Sequence, residues 1–214
     1  MVDDVHALEL RGLEPDPGRR DDYAWTKLLQ ERTVRRLEAS DGVETVIVRP
    51  GTVYGSERRF QHRVGRELGE HAVLLIGGGN RLPLTYVENT ASLLAESGRN
   101  PAAAGQVFNA VDPQPITQRE YLSRWRAVQP GRVAVARMPL PALSALWAAY
   151  GAGERLSRGR VRPPALLRPY EAKPTLKPFR YAPSRAEAVL GWRPPFGLED
   201  ALGRTFGSQP VSSR

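Results

Sequence analysis

Tyr23 and Lys27 are the residues whose types and spacing most directly offer chemistry. Residues 23–40 read as a helix, with Trp25, Leu28, Leu29 and Leu37 among good helix formers and Asp41-Gly42 as the stop. Side chains four apart on a helix project from one face. An ammonium beside a phenol favours the phenolate and draws the tyrosine toward the working range of a general acid or base. Glu31, one turn beyond Lys27, is placed to form an i,i+4 ion pair with it. A second feature follows 22 residues after Lys27. The β-rich run of residues 43–48 ends in Arg49-Pro50-Gly51-Thr52-Val53-Tyr54-Gly55. Pro and Gly there turn the chain at the carboxyl end of a strand, the edge at which open α/β sheets bind ligands.

Other chemistries find little support. The chain has no cysteine, which removes disulfides, thiolate nucleophiles and Cys-ligated zinc. His6, His62 and His71 are scattered without metal-ligand spacing, so no metal site is expected. The formal net charge is +8, unevenly spread. Residues 1–22 hold seven acids against three arginines, whereas residues 154–180 hold eight basic side chains against two acids. This Pro- and Arg-rich segment reads as a solvated loop region able to meet an anion. No aromatic-interleaved RNA-binding signature accompanies it, and nucleic acid is not the expected partner. The longest mainly apolar stretch, residues 139–152, is too short to span a bilayer, and the acidic start lacks signal-peptide order. A soluble cytoplasmic protein is the expectation.

The elements that must position these residues alternate in type. After the first helix and the strand over 43–48, the pattern predicts a helix over 57–69 and a buried strand over 72–76 that ends in Gly77-Gly78-Gly79. An extended segment over 82–87, a helix over 88–97 and a strand over 106–111 follow. Thr117-Gln118-Arg119-Glu120 opens a further helix as a capping box. A short strand over 133–137, an apolar helix over 139–150 and two helices over 184–190 and 198–206 complete the chain. Strands alternating with helices argue for an α/β fold. The strand that precedes the Pro-Gly turn has the near-continuous apolar character of a parallel sheet covered on both faces.

Taken together, five segments resemble the extended short-chain dehydrogenase/reductases, the NAD-dependent epimerase/dehydratase family. Tyr23-Ala24-Trp25-Thr26-Lys27 resembles its Y-x-x-x-K, and Arg49-Pro50-Gly51-Thr52-Val53-Tyr54-Gly55 its R-P-G-x-V-Y-G. Tyr86-Val87-Glu88-Asn89-Thr90-Ala91 is similar to Y-V-D-D-V-A, Gly105-Gln106-Val107-Phe108-Asn109-Ala110 to G-x-x-Y-N-V, and Leu190-Gly191-Trp192-Arg193-Pro194 to L-G-W-x-P. The resemblance implies a partial Rossmann-like parallel sheet with a small, mainly helical substrate-binding part. It also implies that Tyr23 is the catalytic acid/base and that Lys27 holds the nicotinamide ribose and lowers the tyrosine pKa. The backbone of Pro50, Gly51, Thr52 and Val53 would lie against the nicotinamide of NAD or NADP.

The chain departs from the family pattern in two places. No strand is followed by the G-x-x-G-x-x-G turn that cradles the cofactor pyrophosphate, and the catalytic Ser/Thr would fall before Met1. The expectation is therefore a C-terminal half: an acidic lead over 1–22, the Tyr–Lys part of the Rossmann-like domain over 23–111, and a substrate-side region over 112–214. Such a chain would bind NAD(P) weakly alone. It would expose unpaired strand edges, and would call for a separately supplied N-terminal half or a second copy of itself. The small-molecule substrate is left open between an alcohol or carbonyl compound and a nucleotide sugar. Nucleotide-sugar members place Arg where Leu82 stands, and Arg81 lies one residue earlier, on the opposite face of an extended segment. A non-catalytic substrate-binding or interaction domain derived from the same family is the alternative.

Overall fold

The computed structural model describes residues 22–157, 160 and 183–207, with side chains from residue 25 onward. The acidic lead and most of the basic Pro-rich segment lie outside the described residues. Helix α1 (Asp22–Asp41) comes first, then strands β1 (Ile47–Pro50), β2 (Thr52–Tyr54), β3 (Arg66–Glu67), β4 (Ala72–Ile76), β5 (Arg81–Leu82) and β6 (Leu84–Tyr86). Helix α2 (Val87–Arg99) and a 3-10 turn lead to β7 (Val107–Ala110) and β8 (Ile116–Thr117). The chain continues through α3 (Gln118–Ala127), β9 (Ala134–Met138), α4 (Leu140–Leu156), α5 (Ser184–Leu190) and α6 (Leu198–Gly207).

Parallel pairing dominates, as the apolar strand pattern predicts. β1 pairs with β7, β2 with β6 and β4 with β9, all parallel. Two antiparallel ladders are short, β3 with β4 and β5 with β8. The largest apolar cluster joins β2, β4, β5 and β6 to α3 and α6 through Tyr54, Val73, Leu75, Leu84, Tyr121 and Phe206. A second gathers Leu93, Phe108, Ala186 and Trp192, so α2, β7 and α5 pack together. Trp192 fastens this junction, its indole N–H donating to Ser92 Oγ at 3.1 Å. Leu143 and Trp147 of α4 rest on Leu74 and Ile76 of β4.

Helix α3 starts where its capping box places it. Glu120 N donates to Thr117 Oγ1, and the Glu120 carboxylate accepts from Thr117 N, satisfying two orphan donors reciprocally.

Two sequence expectations need correction. Residues 57–69 are not helical. Their backbone is held open by partners far along the chain: Tyr121 Oη donates to the Arg59 carbonyl and Gln118 Nε2 to the Arg63 carbonyl. Gln61 Nε2 reaches the Val53 carbonyl at 2.8 Å, and Val64 is fully buried. These tertiary bonds and the burial outweigh the modest helix propensity of the Arg- and Gln-containing run. The strand expected over 43–48 starts only at Ile47 and is half-covered. Val43 is exposed, and among the described residues β1 pairs on one edge alone. In α1, Leu28 is buried, whereas Trp25, Leu29 and Leu37 remain exposed among the described residues.

Candidate functional site

The centre of the site is Gly51, where one extended segment changes partners. Before it, Pro50 stands beside Ala110 in the β1–β7 ladder; after it, Thr52 stands beside Leu84 in the β2–β6 ladder. Gly51 N donates to the Ala110 carbonyl at 2.8 Å, and Thr52 N to the Pro83 carbonyl at 2.7 Å. The change of partner falls at the carboxyl end of parallel strand β1, the edge of an α/β sheet at which ligands bind. Glycine is required here by space rather than by φ. A Cβ at Gly51 would be driven into the Pro83 carbonyl oxygen and would sit 3.0 Å from Val111 Cγ1. Pro50 is exposed, and Gly51, Thr52 and Val53 are half-buried, so the turn is both fixed and reachable.

Helix α1 carries the other half of the candidate site. Tyr23 lies in its first turn, and its side chain lies outside the described residues. Lys27 is exposed, and its Nζ donates to Gln30 Oε1 at 3.1 Å. Glu31 does not take Lys27 as the sequence suggests. Arg49, at the end of β1, grips it with a two-pronged fork, Nε to Oε2 at 3.1 Å and Nη2 to Oε1 at 2.5 Å. Arg35 adds Nη2 to Oε1 at 2.9 Å. The planar guanidinium matches a carboxylate with two parallel bonds, which an ammonium cannot do. Burial pushes the Glu31 carboxyl up, but the two arginines outweigh it and hold it below its ordinary value. The Tyr–Lys helix is thus bolted to the strand immediately before the switch.

A second lock lies beyond the switch and gave no signal in the sequence. The Asp112 carboxylate accepts from Tyr54 Oη at 3.0 Å, from Tyr86 N at 3.1 Å and from Asn89 Nδ2 at 2.9 Å. Asn89 also exchanges bonds with the Phe196 backbone, tying in the segment before α6. Burial raises the Asp112 carboxyl above its usual range despite these three donors. Burial and then Asp112 push the Tyr54 phenol far up, so this fully buried tyrosine stays protonated and is structural rather than an acid/base group.

The remaining candidates divide. Arg81 is exposed on β5, while Leu82 is 4% exposed and belongs to the main core. The one-residue slip between them does turn the arginine to the opposite face. His62 is lowered by burial and by Arg66, Arg63 and Arg58, and among the described residues no cluster of His, Asp and Glu could hold a metal.

The described glycines offer no dinucleotide cradle. Gly77-Gly78-Gly79 follows β4, but Gly77 N already donates to the Met138 carbonyl, and Gly78 N to the Ile76 carbonyl and to Gln118 Oε1. With these amides engaged, the loop does not fit a pyrophosphate.

Comparison with known proteins bears on family and fold. The profile of the NAD dependent epimerase/dehydratase family matches residues 6–110. The 3beta-hydroxysteroid-dehydrogenase/decarboxylase isoform 2 of Arabidopsis thaliana is 29% identical over an alignment of 138 positions that covers 58% of this chain and 24% of that protein. Among solved structures, the UDP-glucose 4-epimerase of Thermus thermophilus in complex with NAD is 20% identical with a TM-score of 0.56, over 86% of this chain and 52% of its own. Bacillus cereus UDP-glucuronic acid 4-epimerase, in complex with UDP-glucuronic acid and NAD, is 17% identical with a TM-score of 0.58, over 86% and 51%. The chain therefore spans about a quarter of the length of its curated relative and about half that of these solved ones. At such identities the structures speak for the fold, and they share its parallel α/β architecture. Motifs, a family profile over just under half of the chain, and the shared fold together support a member of the extended short-chain dehydrogenase/reductases, the NAD-dependent epimerase/dehydratase family.

Proposed function

We propose that this chain supplies the proton-handling part of an NAD(P)-dependent oxidoreductase or epimerase. The observation that favours this reading is the bolt from α1 to β1, which fixes the Tyr23–Lys27 helix against the strand switch at Gly51. When bound, NAD(P) supplies hydride exchange. Tyr23 exchanges a proton with the substrate hydroxyl or carbonyl oxygen. Lys27 holds the ribose and stabilises the phenolate. The backbone over Pro50, Gly51, Thr52 and Val53 shapes the nicotinamide end, and residues 112–214 form the substrate side. The substrate is an alcohol, a carbonyl compound or a nucleotide sugar. The exposed position of Arg81 leaves it able to meet an anionic substrate group, while Leu82 does not reach one.

The pyrophosphate cradle has no counterpart among the described glycines, so turnover requires that cradle from a longer polypeptide or a separate half. The edge of β1 that is open among the described residues suits a further strand added there. Two measurements test the reading. NADH fluorescence titration of the 214-residue chain is expected to show affinity weaker than micromolar, and micromolar binding by the lone chain contradicts it. Turnover restored by adding a glycine-rich N-terminal half should vanish with Tyr23→Phe. Turnover that survives this substitution removes the phenol from the mechanism.

A further inference from the structure

Glu31 stands four residues after Lys27, the spacing at which a carboxylate and an ammonium meet along a helix. It nevertheless directs both oxygens elsewhere. Arg49 takes Oε1 and Oε2 together, and Arg35 shares Oε1, while Lys27 Nζ donates to Gln30. Arg35 belongs to the same helix and reaches Oε1 alone, so Oε2 is held only from β1. Arg49 arrives from β1, 18 residues away in sequence, so the direction of the carboxylate is set by tertiary structure. The Glu31 side chain is 13% exposed, and water competes little for it.

We propose that Arg49 is a positioning residue for the Tyr23–Lys27 pair: it draws the Glu31 carboxylate toward β1 and withholds it from Lys27. The inference rests on the reading of Tyr23 and Lys27 given above and deepens it. A carboxylate paired to Lys27 would cancel most of the ammonium's field at a neighbouring phenol, because opposite charges in contact act at a distance only as a dipole. Arg35 and Arg49 are the charged groups that face Glu31 from α1 and β1. Both keep it ionised, so what varies is where its charge points. Arg49 therefore does two things with one contact. It fixes α1 to the strand that makes the Gly51 switch, and it keeps the helix's own acid from neutralising the helix's own cation.

The test uses the 214-residue chain and two readouts. Zero-length carbodiimide coupling followed by mass spectrometry reports whether Lys27 and Glu31 touch. Arg49→Met should raise the yield of the Lys27–Glu31 isopeptide severalfold over wild type. Arg49→Lys keeps charge but loses the fork, and should raise it less; it also serves if the methionine variant fails to fold. Equal yields in wild type and in the folded variants overturn the proposal. The second readout is the Tyr23 phenol, followed by NMR of 13Cζ-labelled tyrosine and assigned by its loss in Tyr23→Phe. Its titration should move up by about 0.3 pH unit in Arg49→Met, the scale of an exposed i,i+4 ion pair. Adding Glu31→Gln should reverse that move. Glu31→Gln should lower the phenol titration more in the Arg49→Met background than with Arg49 in place, because only there does Glu31 face Lys27; equal shifts in both backgrounds overturn the proposal. If the isopeptide rises and the phenol does not move, Arg49 holds Glu31 as stated and the Tyr23–Lys27 reading is what fails.

Discussion

Replacing Asp112 should separate what its shape does from what its charge does. In Asp112→Ala, three donors lose their acceptor: Tyr54 Oη, which is fully buried, Tyr86 N and Asn89 Nδ2. Each buried donor left unpaired costs about 1–3 kcal/mol, and Asp112 itself is only half-buried, so water recovers part of this. A loss of about 3 kcal/mol follows, equivalent to a fall in Tm of roughly 6–12 °C for a chain of this size. Asp112→Asn is different. Its amide oxygen can accept from Asn89 and Tyr86, while its NH2 donates to a Tyr54 hydroxyl that turns to accept. The expected loss is under about 1 kcal/mol, because the three contacts persist, one of them reversed, while a desolvated charge disappears. The pH dependence then has a definite sign. Burial raises the folded carboxyl above the ordinary 3.8, so the folded state binds this proton more tightly than the unfolded chain does. Wild type is favoured below 3.8 and loses ground to Asp112→Asn as pH rises through the folded value, with a constant gap above it. Thermal unfolding followed by circular dichroism from about pH 3.5 to about pH 8 measures both quantities. If the asparagine variant is as damaged as the alanine variant, or its gap to wild type does not change with pH, the account of this lock is wrong.

Three further outcomes are expected. Gly51→Ala should destabilise by about 1–3 kcal/mol, read from denaturant midpoints, because its methyl group meets the Pro83 carbonyl at a turn pinned on both sides. Thr117→Ala should cost about 1 kcal/mol by removing the side-chain half of the α3 capping box, with the helix otherwise retained in far-UV spectra. Lowering the pH should weaken the α1–β1 bolt. Glu31 is held below its ordinary 4.5, so the stability that it contributes is complete above that value and is lost as pH falls through the lower folded one. In Glu31→Gln this part of the acid dependence should be missing from the same melts.

What was legible in the sequence was local. The capping box at Thr117–Glu120 is a four-residue device and forms as read. The helices over 184–190 and 198–206 and the strand over 106–111 follow from periodicity and turn residues, and each is found within about a residue or two of its expected bounds. The long-range partnerships were silent. Glu31 has two partners at helical spacing, Lys27 and Arg35, and a reader of the chain alone has no means of weighing an arginine 18 positions away on a strand. The lock at Asp112 joins residues 23, 26 and 58 positions distant, with no motif around the aspartate. Residues 57–69 failed for the same reason in reverse. Their local propensity favoured a helix, and two side chains of α3 captured their carbonyls instead.

The two locks explain why the turn over Pro50, Gly51, Thr52 and Val53 can be both reachable and rigid. A strand that changes partners in mid-course gives up ladder hydrogen bonds at the switch, and such a point would ordinarily be a hinge. Here Arg49, anchored to α1, immediately precedes the turn, and Tyr54, anchored to Asp112, immediately follows it. The anchors differ in kind. One is a fork between opposite charges near the surface, sensitive to acid; the other is a carboxylate sharing neutral donors, relieved of its charge cost by acid. Falling pH weakens the first while it eases the second, so their pH dependences partly offset. A short segment held by two devices with opposite acid dependence should lose less of its anchoring on acidification than a segment held by the Glu31 fork alone, a difference that melts of Glu31→Gln and Asp112→Asn against wild type will read.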